Sequence, residues 1–154
     1  MSERIGRPEV GVGVFIFRAG KFLIGRRLGA HGAESWSLPG GKLEFNEEIE
    51  EAASREVMEE TNCDITNVRI AAVTNDIFPE ADKHFVTVWT TSDWRGGEPT
   101  VTEPDKFVDL GWVDFDTLPQ PLFSPMERLM SSEFYETLRG KLAATAMKGV
   151  NDEI

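Results

Sequence analysis

Residues 47–61, EEIEEAASREVMEET, run without glycine or proline and are rich in glutamate and alanine, a composition that specifies a helix. Asn46 is placed to cap its start, and Asn62 to end it in a left-handed conformation. The chain on either side reads differently. Residues 10–17 (VGVGVFIF) and Lys21–Arg27 (KFLIGRR) are β-rich runs joined by a short turn at Gly20, which is a hairpin pattern. Residues 28–35 form a glycine-containing loop, and Pro39-Gly40-Gly41 punctuates the approach to the helix. Downstream, residues 65–78, 84–94 and 107–115 read as strands. Residues 124–147 carry a second helical pattern that Gly140 weakens, and residues 148–154 are expected to fray. One helix set among strands and a second at the end imply an α/β layered fold, with helices flanking a mixed sheet. A length of 154 residues suits one domain with a real core.

The helix carries an unusual charge load. Residues 41–63 hold eight glutamates against Lys42 and Arg55. Like charges at helical spacing repel by a few tenths of a kcal/mol per pair, roughly. Either this is a solvated face, or it awaits a cation. Glu56, Glu59 and Glu60 stand at i, i+3, i+4, within one face of roughly 100°. Ile49, Ala52 and Ala53 occupy the same stripe, which points it inward. Arg55 is spaced to reach Glu51 and Glu59, and Glu47, Glu51 and Arg55 share another face at i, i+4, i+8. The remaining carboxylates call for a divalent ion. Oxygen ligands without a cysteine or histidine cluster suit Mg²⁺, or Mn²⁺ in its place, better than zinc. His31 and His84, the only histidines, are far apart in sequence.

The net charge of −11 argues against partnership with nucleic-acid polymers or an anionic membrane. It does not argue against a small anionic substrate, because a divalent metal inverts the local sign. Cys63 is the only cysteine, so no internal disulfide forms, and a reducing compartment is expected. No apolar leader or membrane-length run is present, which makes the cytoplasm the default expectation. The N-terminal GVGVFI lacks the third glycine of a dinucleotide fingerprint, and GGKL lacks the Ser or Thr of a phosphate loop.

The stretch GKLEFNEEIEEAASREVMEETNC resembles the Nudix box. Gly41 opens it, Glu47 follows after five residues, and Arg55-Glu56 after seven more. Val57 is the aliphatic position, and Glu59-Glu60 complete the acidic set. Asn62 stands where the box has glycine and Cys63 where it has an aliphatic residue; neither is an acidic position. The segments LPGGKLEFNE, VTNDIF, HFVTVW, EPDKF and LPQPLF further resemble the branch hydrolysing 8-oxo-dGTP and dihydroneopterin triphosphate. The resemblance implies a Nudix-type α/β/α sandwich and a Mg²⁺-dependent pyrophosphohydrolase of a nucleoside triphosphate or related diphosphate. ADP-ribose or a nucleotide-sugar is the alternative substrate, and a non-catalytic nucleotide-binding module the alternative role. It implies that Glu56, Glu59 and Glu60, with the Gly41 carbonyl, hold the metal, while Glu47 and Arg55 pair structurally. A homodimer is also implied.

Phosphoanhydride cleavage needs neutralised phosphate charge and an activated water. Glu59, Glu60 and, in the TEPDK loop, Glu103 are candidates to take the water's proton. Arg26, Arg27 and Lys42 are candidates for the phosphates. Trp36 and Phe78, with Phe15 and Trp89, are candidate walls for a nucleobase.

Overall fold

The computed structural model describes residues 6–28 and 33–152, with side chains to residue 146. His31 and the middle of the 28–35 loop lie outside the described residues. Strand β1 (Glu9–Arg18) alternates its side chains between two apolar layers, so the centre of the sheet is covered on both faces. Val12, Val14 and Ile16 point to one side, and Phe15 and Phe17 to the other.

β1 turns back into β2 (Lys21–Arg27) as the hairpin pattern requires, but the two pair only at Phe17–Phe22 and Arg18–Lys21. Beyond that they splay. β4 (Gly40–Lys42) takes the place beside β1, while β3 (Trp36–Ser37) and β7 (Phe107–Val113) pair with β2. On its other side β1 runs parallel to β6 (Lys83–Gly96) from Glu9–Phe85 to Phe17–Asp93. β5 (Asp64–Phe78) closes the edge as the antiparallel partner of β6, joined by a 3-10 turn at Pro79–Ala81. The result is a mixed sheet in the order β3-β2-β1-β6-β5.

α1 (Ile49–Thr61) covers one face. Ala52, Ala53 and Val57 are fully buried against Val12, Val14, Ile16, Leu23, Cys63 and Ile65. The two alanines let the helix approach closely, and burying Val57 contributes about 2 kcal/mol. Asn62 ends the helix in a left-handed conformation, φ 61°, as expected. The start differs from the expectation. Asn46 is itself left-handed, φ 66°, in a turn ahead of the helix, and Glu48 is the cap residue. The Glu48 N–H donates to Glu51 Oε1 at 3.2 Å, so Glu51 serves the helix start rather than Arg55.

The opposite face is covered by two helices where one was expected, α2 (Ser124–Met130) and α3 (Tyr135–Asp152). The break has a local cause. The Ser132 hydroxyl donates to the Leu129 carbonyl at 2.6 Å and accepts from the Phe134 N–H at 3.2 Å, replacing helical bonds. α3 continues through Gly140 and through most of the segment expected to fray, to Asp152. Met126, Leu129, Leu138 and Leu142 seal a layer containing Phe15, Phe22 and Phe115, whose rings stand 4.9–6.0 Å apart. No described helix is long and apolar enough to cross a membrane.

Gly13 lies under this layer. A Cβ there would sit 2.5 Å from the Trp89 ring, so only glycine lets the indole lie flat on β1. Gly13→Ala is expected to cost about 1–3 kcal/mol through this overpacking, read as a lower chemical-denaturation midpoint with an unchanged m-value.

Candidate active site

The turn before α1 folds back on the helix through Arg55. Its Nε donates to Glu47 Oε2 at 2.7 Å, and its Nη2 donates to Glu47 Oε1 at 2.9 Å. Nη2 also reaches the Lys42 carbonyl at 3.2 Å, and Nη1 reaches Glu56 Oε1 at 2.7 Å. This fork-to-carboxylate geometry is the strong form of the ion pair. The Arg55 hydrogen bonds hold the Glu47 carboxyl down at about 2. Arg55 thus ties β4, the turn and α1 together, and orients Glu56. Glu47 does so from the turn, because the helix begins two residues after it.

Glu56 and Glu60 are both buried and line one cavity of about 570 Å³. Glu60 Oε1 accepts the Gly40 N–H at 2.9 Å. Burial pushes the Glu60 carboxyl up to about 8; the Gly40 hydrogen bond pulls against this, and the Glu56 charge adds to it. Glu56 Oε2 is buried without a hydrogen-bond partner. Its carboxylate rests on the backbone of Gly41, where a Cβ would come within 2.4 Å of it. Glu59 is half-exposed, off the cavity lining, with Oε2 3.5 Å from Arg55 Nη1. Among the described residues no three acidic or sulfur or imidazole side chains already converge as a metal cage.

The residues nevertheless fit a hard divalent ion. Two buried carboxylates share the cavity, one oxygen lacks a donor, and the neighbouring ligands are backbone and carboxylate oxygens. Gly41→Ala would push a flexible carboxylate rather than the backbone. It is expected to lower turnover by about 10–100-fold while shifting the thermal midpoint by no more than a few degrees, both measured on the same preparation.

The loop after β6 brings further groups. The Thr100 N–H donates to the Thr61 carbonyl at 2.9 Å, and the Thr102 hydroxyl to the Glu59 carbonyl, fastening the loop over the end of α1. Glu103 and Lys106 follow, with Lys106 Nζ 3.6 Å from Glu103 Oε1, an oxygen buried without a hydrogen bond. Burial alone would depress the Lys106 ammonium. Glu60, Glu103 and Glu56 together hold it above its usual range.

The rest of the lining separates the sequence candidates. Arg27, Lys42, Phe78 and Trp89 line the cavity. Arg27 lies over the Phe123 ring at 4.0 Å, and Phe123 stacks on Phe78 with centroids 5.8 Å apart. Arg26, in contrast, is off the lining and paired outside with Glu34 at 2.7 Å and Asp109 at 3.1 Å. It follows Gly25 in a strand, and alternation turns it away from Arg27. Trp36 packs at the rim of the apolar layer, and Phe15 is wholly core. Sequence reasoning missed Lys106, Lys83, Phe85, Thr87 and Phe123, all of which line the cavity. Phe85 and Thr87 had a signal: they precede Trp89 at period two on the same strand face.

The NUDIX domain family matches this chain across residues 7–133. The chain belongs to the NUDIX family. A crystal structure of a MutT NUDIX hydrolase from Burkholderia pseudomallei is 34% identical, with a TM-score of 0.77 over 83% of this chain and 99% of that one. An 8-oxo-dGTP diphosphatase of Proteus vulgaris is 35% identical over 75 residues, 48% of this chain and 65% of that protein. An NAD-capped RNA hydrolase NudC of Pectobacterium atrosepticum is 27% identical over 73% of this chain, which spans 42% of its length. The α/β/α layering of this chain is that of the family.

Proposed function

We propose that this Nudix protein is a Mg²⁺-dependent pyrophosphohydrolase that cleaves a nucleoside triphosphate, or a related nucleoside diphosphate derivative, to a monophosphate. Mn²⁺ would serve in the same site. The observation that carries the reading is the cavity itself, which is lined both by buried Glu56 and Glu60 with Gly41 and by the aromatic rings of Phe78, Phe85 and Phe123. An anionic phosphate chain bridging a metal and a flat apolar base matches that polarity. The likeness to the 8-oxo-dGTP diphosphatase of Proteus vulgaris supports the substrate class.

Glu56, Glu60 and the Gly41 carbonyl would hold the metal, with Glu59 turning inward from its contact with Arg55. When bound, the ion neutralises phosphate charge and acidifies water. The chain's own residues do the rest. The Glu47–Arg55 clamp fixes Glu56 in place. Arg27, Lys42, Lys83 and Lys106 bring positive charge to the cavity and oppose repulsion between substrate phosphates and the glutamates. Glu103 lies off the cavity lining, but its buried oxygen, ion-paired with Lys106 and without a hydrogen bond, would take a proton from the attacking water. The aromatic rings orient the base and exclude water. A panel of nucleotides with Mg²⁺, read by product mass, tests this. Glu59→Gln and Glu103→Gln in the same assay separate metal support from proton transfer: the first is expected to shift the Mg²⁺ dependence, the second the pH–rate profile.

A further inference from the structure

A buried acid on β5 reaches the cavity through a threonine hydroxyl. Asp76, on β5, is 1% exposed. Its Oδ2 accepts from the Thr74 hydroxyl at 2.8 Å and from the Thr87 hydroxyl at 2.7 Å. Oδ1 has no hydrogen bond; the nearest cation, Arg128 Nη1, lies 3.6 Å away and itself donates to the Asn75 carbonyl. Proton directions in this cluster follow from chemistry. The Trp89 indole N–H can only donate, and it donates to Thr74 Oγ1 at 2.8 Å. Thr74 must then give its own proton to Asp76. A carboxylate can only accept, so Thr87 does the same.

Thr87 lines the cavity, on the strand face it shares with Phe85 and Trp89. It pairs in register with Gly11, whose missing side chain leaves space beside the Thr87 oxygen; a Cβ there would lie 3.7 Å from it, 3.8 Å from the Phe85 ring and 3.9 Å from the Gly41 carbonyl oxygen. With its proton committed to Asp76, Thr87 Oγ1 faces that space as an acceptor. We propose that Thr87 is a specificity-determining residue that reads an N–H on the edge of the substrate's nucleobase, and that Asp76 is the positioning residue that fixes the hydroxyl as an acceptor. The proposal rests on the nucleotide reading above. A base edge presenting an N–H satisfies Thr87, whereas an edge presenting a lone pair or a C–H leaves a buried acceptor unpaired. That difference commonly separates analogues by one or more orders of magnitude.

The test uses pairs of substrates in which one member carries an N–H donor that the other lacks: 8-oxo-dGTP against dGTP, which differ at N7 and at the C8 oxo group, and dGTP against dITP, which differ by the 2-amino group. Steady-state constants are measured for the wild type, Thr87→Val, Thr87→Ser, Asp76→Asn and the Thr87→Val/Asp76→Asn double variant, with melting curves for each. The wild type is expected to favour the N–H member of at least one pair by about 10-fold or more. Thr87→Val is expected to reduce that ratio to within about 3-fold, with the loss carried by KM for the N–H member, and Thr87→Ser to restore it. Asp76→Asn should lower the ratio alone and change nothing further in the Thr87→Val background, an epistasis that a purely structural Asp76 would not show. Should Thr87→Val fail to fold, Gly11→Ala adds a methyl beside an intact hydroxyl and is expected to reduce the same ratio. A wild type indifferent to both pairs overturns the proposal. So does a Thr87→Val, or in its place a Gly11→Ala, that keeps the ratio. Absence of hydrolysis of every nucleotide would instead overturn the nucleotide reading on which the proposal stands.

Discussion

Arg55→Ala is expected to lower both stability and turnover more than any other single change outside the proposed metal ligands. Glu47 and Glu56 lose a shared guanidinium, and the Lys42 carbonyl loses a donor. Glu56 is then a buried carboxylate without its hydrogen-bonded cation, in the cavity it shares with Glu60. Removing one partner of a fully buried pair costs about 3–5 kcal/mol. Arg55 keeps 25% of its side chain in water, so a loss of about 2–3 kcal/mol is the expected value. Turnover should fall by a further 10–100-fold, roughly, because Glu56 is no longer oriented. Arg55→Lys keeps the charge without the two-pronged fork, and is expected to recover less than half of either loss. Equilibrium denaturation and initial rates on the same variants check both numbers.

The second large effect is a pH dependence that metal should erase. Glu60 in the folded protein titrates at about 8, against an ordinary value of 4.5, because burial disfavours its charge. Between those two values the folded state keeps a proton that the unfolded state has released. Stability contributed by the neutral carboxyl is present below 4.5 and is lost as pH rises through about 8. Metal-free protein is therefore expected to lose several degrees of thermal midpoint between pH 5 and pH 8.5. Saturating Mg²⁺ should restore most of it, since a bound cation stabilises the carboxylate and the folded state together. Glu60→Gln should flatten the metal-free profile, raise the midpoint at pH 8.5, and lower turnover by at least about 100-fold. A variant that is both more stable and less active is the signature of a carboxylate kept at a cost to stability for its chemistry.

Much of this site was legible from residue order. The spacing that places Glu56 and Glu60 on one inward stripe needs only the helical period and the small residues Ala52 and Ala53 below it. The Glu47–Arg55 pair was legible too, but for a different geometric reason. Residue spacing puts both on one continuous helix, whereas Glu47 reaches Arg55 from a turn that Asn46 creates. That two-residue shift also explains why Glu51 was assigned to Arg55 and instead serves the Glu48 N–H. Strands β3 and β4 were too short to show a period. The break between α2 and α3 depends on one serine hydroxyl, Ser132, competing for backbone bonds, which no periodicity reveals. Lys106 had no local signal, because its position depends on Thr100 and Thr102 fastening a loop onto the far end of α1. Arg26 and Arg27 looked equivalent in sequence. The sheet separates them, one into the cavity and one onto Glu34 and Asp109.

The central claim, that Glu56 and Glu60 form the metal site of a nucleotide-cleaving cavity, meets its most direct test in Mg²⁺ titrations of wild type and Glu56→Gln. Each is incubated with 8-oxo-dGTP, dGTP and ADP-ribose, and the products are resolved by mass. The account predicts a nucleoside monophosphate and pyrophosphate from a triphosphate, strictly dependent on Mg²⁺, and reduced at least about 100-fold in the variant. Full activity in Glu56→Gln, or a wild type that binds nucleotide yet leaves every phosphoanhydride intact, would contradict it.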